Sequence, residues 1–298
     1  MKLMKELYFR VADALFCLNC IQGEDTRLLT SSYVPFRIQA LPAVELPIFV
    51  MTVGSDLVSL KPEGKDIGRF GCDGIGYVVY KISNGYKILI DDSAKKTCCS
   101  MEVNEDFSIC RVSLFGDTEH RFLGLNNAVM IAFAFSGVYN NIVLMHSSVT
   151  MYGNKGYLFL GQSGTGKSTH SRLWHRYITG SELLNDDNPA IRFMPQDGKI
   201  YVYGTPWSGK TPCYRNVSVE VGAFVKLEQC PENIIKKESC IKAFTSILSS
   251  CSAMVWDKSS YGKICDIVSG IVERIPVYSL KCRPDEMAVR LSFRTITG

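Results

Sequence analysis

The chain has 298 residues, enough for two domains of about 150 residues each. Its hydrophobic fraction of 46% and charged fraction of 21% are those of a globular protein and exclude a disordered or fibrous chain. The 33 basic and 29 acidic residues leave a net charge of +4 without any basic run, so we expect no nucleic-acid partner.

The apolar segments and the cysteines indicate the compartment. No stretch reaches the roughly 18 uncharged apolar residues of a membrane span, and Ala128 to Val138 is predicted to be a buried helix. The first residues lack a signal-peptide pattern. The 12 cysteines are therefore expected to be thiols in a reducing compartment. Cys17 and Cys20 are separated by two residues, as in one of the two ligand pairs of a zinc site. No second pair accompanies them, so we interpret them as core residues. A cytoplasmic protein without membrane contact is expected.

Residues 1–122 are predicted to form a β-rich domain, because short runs of Val, Ile, Phe and Tyr are interrupted by turn residues. Ser83-Asn84-Gly85 predicts a tight hairpin, since Asn and Gly tolerate a positive φ. A second hairpin is predicted from Cys99 to Phe115. Nothing in this region has the spacing of a catalytic site. The predicted strands are Leu7 to Leu18, Tyr33 to Gln39, Pro47 to Val53, Ile75 to Ile82 and Tyr86 to Ile90.

Residues 123–298 are predicted to form a second domain, in which strands and helices alternate. Asn126 to Ser136 predicts a helix and Ile142 to Thr150 a buried strand. Pro284-Asp285-Glu286 is typical of a helix start. The other predicted strands are Gly156 to Leu160, Pro189 to Phe193, Ile200 to Tyr203, Gly222 to Glu228 and Val277 to Cys282, and the other predicted helices are Lys167 to Ile178, Ile234 to Ser250 and Tyr261 to Val272.

One motif in the second domain carries chemistry. Residues 161–168, GQSGTGKS, match the phosphate-loop pattern G-x-x-x-x-G-K-[ST] at every fixed position. In such a loop backbone N–H groups point at the β-phosphate, the lysine reaches the β- and γ-phosphates, and the hydroxyl ligates Mg²⁺. The predicted strand before the loop and the helix after it are the context that the motif requires. We expect an ATP or GTP phosphate site formed by Gly161, Gln162, Ser163, Gly164, Thr165, Gly166, Lys167, Ser168 and Thr169.

A nucleotide site of this kind also needs an acid for Mg²⁺ and a group that handles the proton of the acceptor. Asp186 and Asp187 follow the loop at a distance that allows one helix and a short strand, which would place both beside the phosphates. One carboxylate can then ligate Mg²⁺ while the other accepts the proton of an attacking hydroxyl. The alternative interpretation is an Asp-Asp-Asn-Pro turn without a catalytic role. His146 is either a core residue of its strand or a member of this site.

His146, the loop and the aspartate pair together resemble the catalytic domain of bacterial HPr kinase/phosphorylase. Fold relatives of that domain include ATP-dependent phosphoenolpyruvate carboxykinase. The resemblance implies an α/β protein, with a P-loop phosphoenolpyruvate carboxykinase-like catalytic domain after a β-rich N-terminal domain. It also implies ATP and Mg²⁺ as cofactors, Asp186 as general base, and Asp187 as the acid that holds the metal with Ser168. Lys167 and His146 would then belong to the catalytic site.

The chain also departs from that family. Ser147 stands where the family usually has Gly, and the segment from Tyr203 to Lys210 replaces an Arg-Gly-Leu-Gly segment. The Gly-Thr-Pro-Trp sequence within it looks more like diverged HPr kinase-like proteins, which act on other substrates, so HPr is not the expected acceptor. Family members often form hexamers. A homo-oligomer is therefore an expectation, with a monomer as the alternative.

The loop from Gly204 to Lys210 is the candidate acceptor site. Its glycines let the backbone approach a ligand. Trp207 offers an apolar wall, and Lys210 and Arg215, with Arg283 as a third cation, can neutralise a phosphate or carboxylate. The alternative is an ordinary turn with surface cations.

These patterns predict an ATP- and Mg²⁺-dependent kinase that transfers the γ-phosphoryl group to a hydroxyl. The expected acceptor is a serine of a peptide or protein, or a small molecule. Two alternatives stay open: a nucleotide-binding regulatory protein without phosphotransfer, and a kinase of free serine or another small hydroxy compound.

Overall fold

The computed structural model describes residues 4–21, 32–39, 45–72, 74–209 and 211–298. It consists of two compact units, Met1–Asn140 and Asn141–Gly298. Each unit contains one nine-stranded sheet, so the chain is of the mixed α/β class. The units divide later than the boundary expected after residue 122, because the helix that follows residue 117 packs on strands of the first unit.

In its described residues, the first unit is a single sheet with one long helix. Its strands are β1 (Met4–Val11), β2 (Ala14–Ile21), β3 (Arg37–Ile38), β4 (Phe49–Val53), β5 (Lys65–Cys72), β6 (Ile75–Ile82), β7 (Gly85–Asp91), β8 (Thr97–Asn104) and β9 (Ile109–Leu114), and its helix is α1 (Thr118–Gly137). In space the strands follow the order β3-β1-β2-β4-β9-β8-β7-β6-β5. Short 3-10 helices cover Val34–Phe36 and Val138–Asn140.

Both hairpins predicted in this unit are present, as β6–β7 and β8–β9. The predicted strand from Leu7 to Leu18 is instead a hairpin of β1 and β2, because Ala12 and Asp13 turn the chain with φ of 49° and 57°. Within the predicted strand from Tyr33 to Gln39, residues 34–36 form a 3-10 helix with a proline in its first turn, and Arg37 and Ile38 form the short strand β3. Strand β5 was not predicted, since its composition is largely polar and Gly, and it forms by pairing with β6.

Helix α1 is the core helix of the first unit. The Asp117 side chain caps it by accepting a hydrogen bond from the backbone N–H of His120 at 3.0 Å. The helix is longer than the predicted one and packs against β4, β7, β8 and β9. Contrary to expectation, its length and composition suffice for a membrane span. However, 61% of the qualifying window is buried inside the structure, as in a core helix.

The second unit alternates strands and helices. Its strands are β10 (Ile142–Leu144), β11 (Ser147–Tyr152), β12 (Lys155–Leu160), β13 (Glu182–Asp187), β14 (Ala190–Met194), β15 (Lys199–Tyr203), β16 (Ser218–Gln229), β17 (Ile234–Lys237) and β18 (Val277–Cys282), and its helices are α2 (Lys167–Tyr177), α3 (Cys240–Leu248), α4 (Lys258–Arg274) and α5 (Glu286–Thr297). The spatial order is β10-β14-β15-β16-β12-β11-β13, with β18 on β16 and β17 on β18.

Strand directions in this sheet bring several strand ends to one edge. Strand β12 is parallel to β16, and β16 is parallel to β18. Strand β11 is antiparallel to both β12 and β13, so β13 runs in the same direction as β12. The carboxyl ends of β12, β13, β16 and β18 therefore meet at the same edge, where ligands of α/β sheets usually bind.

Two elements of the second unit differ from prediction. The segment from Ile142 to Thr150 is two strands, because the chain leaves the sheet at Met145 and His146. Met145 bridges to Cys251, and the His146 N–H donates to the Ser250 carbonyl at 2.7 Å. The predicted helix from 234 to 250 is the strand β17 followed by α3, since residues 234–237 pair with β18.

The core beneath β12 and β16 is centred on Trp174 of α2. Its indole N–H donates to the Ser292 hydroxyl of α5 at 3.0 Å. The buried members of this cluster are Tyr157, Phe159, Trp174, Ile178, Ala223, Val225, Leu227, Leu280 and Val289.

His170, one turn before Trp174, is buried in the same region. Its Nε2 lies 3.1 Å from the Ser292 hydroxyl, and that hydroxyl donates its own proton to the Val289 carbonyl at 2.9 Å. Nε2 must therefore carry the proton and donate it. Burial lowers the pKa of His170 from 6.5 to about 4. The imidazole is neutral at pH 7.

We expect His170 to make the second unit less stable in acid. Its pKa is lower in the folded than in the unfolded state, so stability present above pH 6.5 is lost as the pH falls towards 4. Between pH 7 and pH 5 this loss is about 2 kcal/mol. Urea unfolding of the wild type and His170→Leu at both pH values measures it. The variant should lose that much less stability on acidification, and equal losses would contradict the assignment.

Candidate functional site

The phosphate loop joins the carboxyl end of β12 to the first turn of α2, as the motif requires. Gly161, Gly164 and Gly166 have φ of 149°, 83° and 103°, which side chains other than glycine rarely adopt. A Cβ built at Gly164 or Gly166 would meet no atom within 4 Å. The loop is thus curled and open at these positions, so its backbone can be approached by a ligand.

The first turn of α2 adds to the fit with a phosphate. The N–H groups of Lys167, Ser168 and Thr169 lie at the start of the helix, where no carbonyl of the same helix can accept them. The positive end of the helix dipole favours an anion there. Curled glycines and a helix start together suit the phosphate groups of a nucleotide.

A metal at this site would need ligands from the nucleotide as well. Among the residues that the structure describes, no group of three or more His, Cys, Asp and Glu could hold a metal ion. Mg²⁺ is usually held by one or two carboxylates together with phosphate oxygens and waters. The Ser168 hydroxyl and the aspartate pair are a donor set of that kind.

The pairing of β11 with its two neighbouring strands explains why residues far apart in the sequence meet at the site. Strand β11 lies between β12 and β13, and its Ser147 pairs with Leu160 on one side and Asp187 on the other. Neighbouring strands are about 4.8 Å apart, so the residue before the loop and Asp187 are separated by about 10 Å. His146, which precedes Ser147, lies level with the start of the loop. The predicted histidine, loop and aspartates are therefore brought together.

A chain of contacts links the loop to the aspartates. Lys167 Nζ lies 2.8 Å from His146 Nε2 and donates to the carbonyls of Gly161 at 2.9 Å and Gln162 at 3.3 Å. His146 Nδ1 lies 2.9 Å from Asp187 Oδ1. An ammonium group can only donate, so Lys167 donates to His146 Nε2, and Nδ1 of the same ring faces the Asp187 carboxylate. We call Lys167, His146 and Asp187 the Lys–His–Asp chain.

The two aspartates have different surroundings. The side chain of Asp187 is 25% exposed, and its second oxygen accepts a hydrogen bond from the Asn188 amide at 2.8 Å. Asp186 is only 3% exposed. It pairs opposite Ser148, whose hydroxyl lies 2.7 Å from that of Ser171 on α2. Paired residues of antiparallel strands face the same side of a sheet, so Asp186 faces the side that α2 covers.

The predicted acceptor loop lies directly against the aspartate pair. The buried Asn185 amide donates to Thr205 Oγ1 at 3.2 Å and to the Trp207 carbonyl at 3.4 Å. The Gly209 N–H donates to the Asp186 carbonyl, and the Ser208 hydroxyl lies 3.2 Å from the same oxygen. Asn185, which was not predicted to matter, thus fixes the loop beside the carboxylates. Lys210 lies outside the described residues.

Three predicted acceptor residues have other contacts than expected. Trp207 is 3% exposed, so its ring packs inside the unit and is no open wall. The Arg215 guanidinium lies 2.9 Å from Glu182 and donates to the Leu183 carbonyl at 2.9 Å, so it holds β13 in place. A Cβ at Gly204 would lie 2.0 Å from the Arg215 carbonyl. Gly204 is required by this close approach of two backbone segments.

A hollow of about 600 Å³ lies beside the loop and was not predicted from the sequence. It is lined by the loop and by the segments that follow β16 and β18, which contain Pro231 and Pro284. Gln229, at the end of β16, donates to the Gly164 carbonyl at 3.1 Å. Both strands were predicted, and the rule that ligands bind at carboxyl ends of parallel strands would have indicated these segments.

Solved structures match this chain, whereas the comparisons of its sequence find no match. No family model matches the chain, and no curated protein matches it. One solved structure that matches is the Hpr(Ser) kinase/phosphatase from Coxiella burnetii, with 16% identity and a TM-score of 0.30 over 52% of this chain and 99% of that chain. A match at this level assigns neither family nor activity to the chain, and the function must come from the site.

We expect Gly204→Ala to weaken the loop beside the aspartates. The new Cβ would collide with the Arg215 carbonyl, so a backbone segment must move, at a cost of about 2 kcal/mol. Gly262→Ala is the matched control, because a Cβ there meets nothing within 4 Å and helix α4 should gain up to about 1 kcal/mol. Urea unfolding measures both, and equal stability of the two variants would contradict the close approach.

Proposed function

We propose that this chain is an ATP- and Mg²⁺-dependent kinase that transfers the γ-phosphoryl group to a hydroxyl. The acceptor is a serine of a peptide or protein, or a small hydroxy compound. The observation that carries the proposal is the Lys–His–Asp chain at the edge where β12 and β13 end. A phosphate loop alone would support nucleotide binding. A loop lysine joined through histidine to a carboxylate pair supports chemistry at the γ-phosphate.

Each residue has a role in this proposal. Phosphoryl transfer depends mainly on positioning and on stabilisation of charge. The loop N–H groups and Lys167 bind the phosphates. His146 holds the side chains of Lys167 and Asp187 in position relative to each other. Bound Mg²⁺ would add positive charge beside the phosphates, held by Ser168 and Asp187. The oxygen of the acceptor hydroxyl bonds to the γ-phosphorus while Asp186 accepts the proton of that hydroxyl. The bond between the γ-phosphorus and the β–γ bridging oxygen breaks, which leaves ADP.

The proposal includes the family resemblance. The chain would be a diverged HPr kinase-like protein with the phosphoenolpyruvate carboxykinase-like fold, acting on an acceptor other than HPr. We also propose a cytoplasmic location.

We expect Lys167→Ala to lower phosphoryl transfer at least about 100-fold, because a charge that stabilises the transferred group is lost. Lys155→Ala is the control, since that exposed lysine begins the same strand β12. The assay follows label from γ-labelled ATP with Mg²⁺ into a lysate of the source organism, divided on a size-cutoff filter. Label in the large fraction identifies a macromolecular acceptor, and label in the small fraction a metabolite. Wild-type protein that binds Mg-ATP but transfers no label would contradict the kinase and favour a regulatory nucleotide binder.

Asp186→Asn should remove turnover while nucleotide binding stays within about threefold. The amide keeps the shape of the side chain but cannot accept the proton, and a general base contributes about 10²- to 10⁴-fold to the rate. Titration calorimetry gives the Kd of Mg-ATP, and the label assay gives the rate. Asp197→Asn, in the exposed turn between β14 and β15, is the control. If Asp186→Asn lost binding and turnover equally, Asp186 would act in binding instead.

A further inference from the structure

Asp186 and Asp187 are consecutive residues of one strand, β13. Successive side chains of a strand point to opposite faces of the sheet. Asp186 is paired with Ser148 and faces the side that α2 covers, so a regular strand would direct the Asp187 side chain to the other side. Regular strand geometry would therefore not present both carboxylates to one phosphate group.

The backbone at Asp187 departs from strand geometry. Its φ is 133°, in a region that residues with a Cβ rarely adopt. This value differs by roughly 90° from the φ of about −140° in a regular antiparallel strand, and the rotation redirects the side chain. Its carboxylate contacts His146, with 2.9 Å between Asp187 Oδ1 and His146 Nδ1. Such a strained conformation costs free energy and persists only where its surroundings hold it.

The segment of Ser208 and Gly209 holds the strained residue. Asp187 pairs with Ser147 of β11 on one side and forms an isolated β-bridge with Ser208 on the other. The Gly209 N–H donates to the Asp186 carbonyl. A Cβ built at Gly209 would lie 3.1 Å from Asp187 Cβ and 3.2 Å from the Asp186 carbonyl oxygen, which is closer than ordinary van der Waals contact. Any side chain at position 209 would therefore displace Asp187.

We propose that Gly209 is a positioning residue for the Asp187 carboxylate. Its segment holds Asp187 in the one backbone conformation that lets two consecutive aspartates serve the same site. Asp186 keeps its place on the α2 side of the sheet, and Asp187 turns towards His146. This proposal rests on the proposed function, because that function gives Asp187 its role in holding Mg²⁺. It adds that the segment after Trp207 shapes the metal side of the site as well as the acceptor side.

Substitutions at the two aspartates test the backbone conformation without any ligand. In a regular strand alanine is more stabilising than glycine, because glycine loses more conformational freedom on folding. At a positive φ the order reverses, since glycine adopts it without strain. Asp187→Gly should therefore have a higher midpoint of urea unfolding than Asp187→Ala. The matched control is Asp186, where the glycine variant should have the lower midpoint. A lower midpoint for Asp187→Gly than for Asp187→Ala would overturn the proposal.

Gly209→Ala tests the positioning role. Gly209 has no positive φ, so its own backbone tolerates alanine and the variant should fold. Loss of a residue that orients a metal ligand typically lowers metal affinity about 10- to 100-fold. Titration calorimetry gives the Kd of ATP in EDTA and over a series of Mg²⁺ concentrations. The Kd in EDTA should stay within about twofold, while the Mg²⁺ concentration that gives half of the gain in affinity should rise at least about tenfold. Gly262→Ala is the control.

Ser208→Ala is a second variant that adds no bulk. It removes a hydroxyl that lies 3.2 Å from the Asp186 carbonyl and donates to the Thr211 carbonyl at 2.7 Å. The same Mg²⁺ requirement should rise about threefold, as expected for the loss of one hydrogen bond. Unchanged Mg²⁺ dependence in both folded variants would overturn the proposal and leave the kinase standing. Altered Mg²⁺ dependence in a protein whose wild type transfers no label would support the positioning role and contradict the kinase.

Discussion

The candidate site depends on the position of His146 between two strands. From the break between β10 and β11, its imidazole contacts Lys167 through Nε2 and Asp187 through Nδ1. The hydrogen bond from the His146 N–H to the Ser250 carbonyl draws the chain out of the sheet at this point. The segment that follows α3 is therefore part of the site, although it carries none of the reacting groups.

The parts of the site that could be predicted are those encoded locally. The phosphate loop needs glycines where φ is positive and a lysine at the helix start, and these requirements appear in consecutive residues. The short strand that contains Asp186 was predicted only from the number of residues that separate Asp186 from the loop. Strand β18 was predicted from its apolar run and the start of α5 from Pro284-Asp285-Glu286, which are both local signals. In the structure Asp285 is the residue that caps the helix.

The parts that could not be predicted depend on distant partners. Residues 234–237 form a strand because β18 is available, and nothing in their own composition excludes a helix. Ala12 and Asp13 make a tight turn without Gly or Asn. Trp207 and Arg215 were selected by chemical type, but whether such side chains meet a ligand or the protein interior is decided by packing. Sequence patterns report chemistry more reliably than they report exposure.

Helix α5 gives the second unit a particular order of assembly. Its Ser292 receives hydrogen bonds from Trp174 and His170, and Phe293 packs edge-on against Trp174. The helix that begins at the phosphate loop is thus completed by residues synthesised more than a hundred positions later. During translation the first unit can fold once α1 has emerged, because all of its elements lie before residue 141. The second unit has an incomplete core until α5 has left the ribosome, so the helix that follows the phosphate loop is among the last elements of this unit to be fully packed.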